Sequence, residues 1–125
     1  MELKRVVGIG ASAGGLEALQ VMFQAIPLES GAAFIVVQHL SPDFPSMMDE
    51  LLGRTTELPV MMAEHGMPIK PNVVYVNSPG KELSIDRSQF VLTDRERPLS
   101  LTMPIDRFFQ SLAETFGGKT AAIIL

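Results

Sequence analysis

The sequence predicts an open α/β sheet, mostly parallel and doubly wound, with helices on both faces and a small β-hairpin. Three observations carry this expectation. Leu3–Ile9, Phe34–Val37, Val73–Val76 and Ala121–Leu125 are short runs of near-continuous apolar character, as strands covered on both faces are. Segments with apolar residues at helical spacing alternate with them. At the start, strand, helix and strand fit within about 35 residues, the length of a right-handed βαβ unit.

Leu3–Ile9 is the first strand. Leu16, Leu19, Phe23 and Ile26 follow at helical spacing, and Pro27 closes that helix. Phe34–Val37 is a second buried strand, leading into Gln38-His39-Leu40. Ser41-Pro42-Asp43-Phe44-Pro45 reads as a turn-rich loop. Ser46-Met47-Met48-Asp49 offers a capping box for a short helix that ends near Gly53. Leu58–Met62 suits a short strand, Gly66-Met67-Pro68 breaks the chain, and Val73–Val76 forms another strand turned by Ser78-Pro79-Gly80. Leu83–Asp86 and Phe90–Thr93 alternate around Arg87-Ser88, which predicts a hairpin at the edge of the sheet. Arg95–Met103 has little pattern and reads as loop. Pro104 suits a first helical position, and Ile105, Phe108, Phe109, Leu112 and Phe116 make an apolar face behind it. Gly117-Gly118 ends that helix before a last strand, Ala121–Leu125. Because that strand is the end of the chain, the expectation is a single domain, 1–125, whose carboxyl-terminal part is missing.

Composition narrows the function. The 125 residues are 46 % apolar, enough for a real core and too many for a disordered chain. Mean hydropathy is +0.24 and the pI about 5.1. A net charge of -4 without a basic stripe argues against a nucleic-acid partner. No cysteine is present, which excludes disulfides and thiolate metal sites and fits a cytoplasmic setting. No apolar run approaches the ~20 residues of a membrane span, and the start lacks the apolar core of a signal peptide. Eight methionines fit a soft core. The expectation includes no cofactor and no metal.

The chemistry concentrates at Gly10-Ala11-Ser12-Ala13-Gly14, a G-x-S-x-G spacing between a strand and a helix. Such a turn holds one serine hydroxyl at the end of a sheet, and the glycines allow a tight turn and close backbone approach. Ser12 is therefore the candidate nucleophile, placed near the positive end of the next helix. A serine hydroxyl needs a base, and His39 at the end of the second strand supplies an imidazole. If the first two strands are neighbours, the two residues share one rim of the sheet, ~5 Å apart at the backbone. A triad also needs an acid to orient the histidine. Asp43, Asp49, Asp86, Asp94 and Asp106 are available, but none ends a clear buried strand: Asp49 reads as a cap, Asp86 as a hairpin residue and Asp106 as a first-turn residue. His65, in a loop beside Glu64 and Gly66, has no evident partner.

Two rival readings apply to the same stretch. Gly8-x-Gly10-x-x-Ala13 satisfies a lax dinucleotide fingerprint, but Val37-Gln38-His39 offers no carboxylate for a ribose. An α/β-hydrolase orders its triad serine, acid, histidine and does not place its elbow at residue 12.

Gly8-Ile9-Gly10-Ala11-Ser12-Ala13-Gly14-Gly15, followed by Val36-Val37-Gln38-His39-Leu40, resembles the catalytic domain of the chemotaxis protein-glutamate methylesterases (CheB type). The likeness continues through Gly66-Met67-Pro68-Ile69, Val74-Tyr75-Val76 and Pro104-Ile105-Asp106-Arg107-Phe108-Phe109, and so spans essentially the whole chain. The resemblance implies a mostly parallel α/β sheet and hydrolysis of glutamate γ-methyl esters on chemoreceptor helices, with related deamidation of glutamine. It implies Ser12 as nucleophile and His39 as general base. The family's triad aspartate and an oxyanion donor follow the strand that Ala121–Leu125 matches, so both are expected beyond Leu125. Ala13 stands where family members often have threonine; its backbone N–H is still available as an oxyanion donor. The sequence opens directly on the first strand, so the expectation is no receiver domain before it. That arrangement, with Ala13-Gly14-Gly15-Leu16-Glu17 and His39-Leu40-Ser41-Pro42-Asp43, looks like the hybrid proteins that fuse methylesterase to methyltransferase and sensor-kinase modules. A non-catalytic module that docks a receptor or kinase is the alternative function. An exposed sheet edge would also favour self-association.

Overall fold

The computed structural model describes residues 2–11, 15–38, 47–94 and 104–125. Five parallel strands form one sheet in the order β3-β4-β2-β1-β7. They are β1 (Arg5–Ala11), β2 (Ala32–Gln38), β3 (Val60–Met62), β4 (Val74–Val76) and β7 (Thr120–Ile124). The hairpin strands β5 (Lys81–Asp86) and β6 (Gln89–Asp94) form a second, antiparallel sheet. Three helices complete the fold: α1 (Leu16–Gln24), α2 (Met48–Gly53) and α3 (Pro104–Phe116). A 3-10 turn, Gly117–Lys119, joins α3 to β7.

Side-chain alternation along the strands divides the core in two. Val7, Ile9, Phe34 and Val36 face Leu19 and Phe23 of α1 and Leu52 of α2. Val6, Ile35, Val37 and Tyr75 face Phe108 and Leu112 of α3 together with Leu83, Ile85 and Phe90 of the hairpin. Both faces are covered, as the unbroken apolar runs of β1 and β2 require.

On the α3 side, β1 presents glycines. A Cβ on Gly8 would stand 2.8 Å from Leu112 Cδ2 and 2.9 Å from Phe109 Cε1; one on Gly10 would stand 2.9 Å from Ile105 Cγ2. These glycines let α3 lie directly on the sheet. Both glycines of the dinucleotide fingerprint, Gly8 and Gly10, thus lie within strand β1 against α3.

Several details differ from the sequence reading. β1 begins at Arg5 rather than Leu3 and runs on through Gly10 and Ala11, which pair in register with Val37 and Gln38. The small residues expected to turn are still strand at that point. The hairpin is not at the edge of the main sheet. Its apolar residues lie on one side, and that side covers the sheet beside α3 instead of extending it. Backbone bonds hold it there: Phe90 N–H donates to Met67 O, Gly66 N–H to Phe90 O, and Ile69 N–H to Ser88 O. Helix α2 starts after Met47, which supplies no side-chain cap, and Asp49 lies in its first turn and not at its cap. Ser46 of the expected capping box lies outside the described residues, as do the two expected loops, 41–45 and 95–103. Strand β7, expected to be buried, pairs with β1 alone among the described residues, and Ile124 is 69 % exposed.

Candidate active site

The order of strands reverses at β1, with β2, β4 and β3 on one side and β7 on the other. In open α/β sheets, ligands bind beyond the carboxyl ends of the strands at such a reversal. β1 ends at Ala11 and α1 opens at Leu16 with Gly15 as its N-cap, so a strand and a helix bracket residues 12–14. This is the context a G-x-S-x-G turn requires. β2 lies beside β1, and the last residues of the two strands, Ala11 and Gln38, are register partners. Ser12 and His39 are the next residues in sequence after that pair. Ser12, Ala13 and His39 themselves lie outside the described residues, so the structure gives their platform.

That platform is tightly built. Leu125 N–H donates to Gly10 O at 2.9 Å, which holds the far side of β1. On the other side, Asn77 follows β4 and is 5 % exposed. Its Oδ1 accepts from Gln38 N–H at 3.0 Å, and its Nδ2 donates to Gln38 O at 2.7 Å. The sequence reading did not single out Asn77, which lies between Val76 and the Ser78-Pro79-Gly80 turn. An asparagine at a strand end can bond neighbouring backbone as a strand would, but which backbone it meets shows only once β2 and β4 are side by side.

The candidate acids have other settings. Asp49 and Asp106 occupy the first turns of α2 and α3, where the helix dipole favours negative charge. Asp86 ends β5 and is exposed. Asp94 pairs with Lys81 at the open end of the hairpin, and the Lys81 hydrogen bond and charge hold its carboxyl below the usual range. Asp43 lies outside the described residues. His65 has a partner after all: its Nδ1 accepts from Leu92 N–H at 3.0 Å, tying its loop to the hairpin. Among the described residues, no three histidines or carboxylates are grouped to hold a metal. No described helix is long and apolar enough to cross a membrane. A cavity of about 340 Å³ lies between the carboxyl ends of α1 and α2, lined by residues that include Phe23, Leu28 and Thr55. It is at the opposite end of α1 from Gly15, the N-cap of that helix.

Comparison with known proteins adds to this geometry. The family model described as CheB methylesterase matches residues 7–125. A protein-glutamate methylesterase/protein-glutamine glutaminase 3 of Hahella chejuensis is 34 % identical over 121 residues, covering 96 % of this chain and 35 % of the relative. A protein of the same description from Pseudomonas aeruginosa is 32 % identical, covering 98 % of this chain and 37 % of the relative. The chain thus spans about a third of the length of these curated relatives. The crystal structure of the Thermotoga maritima CheB methylesterase catalytic domain superposes with a TM-score of 0.80 at 32 % identity, over 96 % of this chain and 66 % of that one. A parallel sheet that reverses at β1, the strand that leads into the G-x-S-x-G sequence, is thus accompanied by a family match over nearly every residue: the chain belongs to the CheB methylesterase family.

Proposed function

We propose that this chain carries the nucleophile and general base of a protein-glutamate methylesterase that acts on methylated chemoreceptors. The observation that supports this most is the Ala11–Gln38 register pair. Ser12 and His39 are the next residues in sequence after these neighbouring parallel strands, and open α/β sheets bind ligands beyond the carboxyl ends of their strands. Ser12 Oγ attacks the glutamyl ester carbonyl as His39 removes its proton. The oxyanion takes a hydrogen bond from Ala13 N–H, and protonated methoxide leaves as methanol. Water activated by His39 then frees the glutamyl-serine ester and restores both residues. The same steps on a glutamine side chain release ammonia, in keeping with the double description of the relatives.

In this reading the orienting acid and a second oxyanion donor follow β7, in sequence beyond residue 125. The 125-residue chain alone then turns over little. Loss of the orienting acid costs up to ~10⁴-fold, and loss of one oxyanion donor ~10²–10³-fold. The fused methyltransferase and sensor-kinase modules belong to the same proposal. Methanol release from a methylated receptor fragment tests it, with residues 1–125 compared with a version extended along its gene. Release by the extended protein alone is the expected result. Receptor binding by both without any release would favour a docking module and end the catalytic reading.

A further inference from the structure

The end of β2 is finished by a side chain. In the β2–β4 ladder, Phe34 N–H donates to Val73 O and Asn77 N–H donates to Val36 O. Continued by two residues, the ladder would bond Gln38 N–H to the Asn77 carbonyl, and Gln38 O to the N–H of residue 79. Residue 79 is proline and has no N–H. The Asn77 carboxamide supplies both missing partners, with Oδ1 toward Gln38 N–H and Nδ2 toward Gln38 O. Only this orientation of the amide satisfies both groups. Meanwhile Ala63 N–H donates to Val76 O, so β3 and β4 are fixed at the same point. Backbone pairing of β2 with β4 has stopped, yet Gln38 remains bonded at both its N–H and its C=O, 5 % exposed.

We propose that Asn77 is a positioning residue for the general base, holding the residue from which the chain proceeds to His39. The inference rests on His39 being that base. A side chain, unlike a continued strand, holds β2 for one residue more while its own backbone leaves toward Pro79-Gly80. With Ala11 of β1 paired on one side of Gln38, the Asn77 amide holds the other side and so fixes the direction in which β2 ends.

Two variants and two readouts test this. The chain has two histidines, His39 and His65, and side-chain ¹⁵N NMR reports the tautomer and environment of each. Asn77→Ala is expected to speed hydrogen exchange at the Gln38 amide by about tenfold or more and to move the His39 signals, leaving His65 as an unmoved reference. Asn77→Ser keeps a neutral hydrogen-bonding group but is too short to bridge Gln38 N–H and Gln38 O together; it is expected to move His39 less, and it decides the matter if Asn77→Ala does not fold. In the longer, active protein, Asn77→Ala is expected to lower kcat by ten- to a hundredfold with KM unchanged, in line with the ~10²-fold cost of small misplacements. Faster Gln38 exchange with unmoved His39 signals and unchanged kcat would make Asn77 a sheet staple and overturn the proposal. Ser12→Ala separates the two readings. Turnover that survives Ser12→Ala would end the esterase reading, whereas the NMR comparison judges Asn77 without any turnover.

Discussion

Gly8 and Gly10 look alike in sequence but differ in what surrounds them. The Cβ of an alanine at Gly8 would meet Leu112, which has no exposed surface, and the ring of Phe109. At Gly10 the nearest groups are Ile105 and the exposed Ile124, and exposed side chains can yield. Gly8→Ala is therefore expected to cost about 1–3 kcal/mol through overpacking, and Gly10→Ala less, as measured by urea denaturation. Tyr75 makes a second case. Its hydroxyl accepts from Lys70 N–H at 2.9 Å and donates to Pro68 O at 3.3 Å. Burial pushes its phenol above the ordinary 10.0, and the Lys70 N–H offsets this only in part. The unfolded chain then ionises first, so the stability this phenol confers is complete below pH 10.0 and is lost as pH rises toward the folded value. Because Tyr75 is the single tyrosine, tyrosinate absorbance follows it alone. Tyr75→Phe is expected to lower stability at neutral pH by about 0.5–1.5 kcal/mol and to flatten the alkaline loss relative to the parent protein.

The hairpin shows what an element adds to its residues. Arg87 and Ser88 both have positive φ, 52° and 64°, as a two-residue turn of type I′ demands. Neither is glycine or asparagine, so the turn is costly for its side chains. Arg87→Asn with Ser88→Gly is expected to stabilise the protein by about 1 kcal/mol, read as a raised melting temperature. The alternation of Leu83, Ile85 and Phe90 made the hairpin legible in sequence, but its placement was not. That placement depends on Met67 and Ser88 backbone bonds and on the Tyr75 ring, whose centroid lies 4.9 Å from that of Phe90. The buried strands, α1 and α3 were legible for a simpler reason: their apolar periods are strong and local. Asn77 was not, because its role appears only when β2 and β4 are side by side. The Ser12 and His39 motifs were visible by residue type, and the sheet added the neighbouring strands that make their pairing reasonable.

In the whole molecule, the free side of β7 is the weak point. Ile124 and Leu125 are exposed there, and no described strand pairs that side. An uncovered strand edge recruits other strands. Sedimentation of the 125-residue chain is expected to show concentration-dependent association, and Ile124→Lys is expected to reduce it. Ser12 and His39 are expected to act as one unit. Residues that act so give non-additive losses, since removing either member disables the other. The most direct measurement is the methanol-release rate of the longer protein carrying Ser12→Ala, His39→Ala, and both together. Each single variant is expected to lose at least about 10³-fold, and the double variant no more than the worse single one. A variant that keeps the parent rate, or losses that simply multiply, would contradict the pairing.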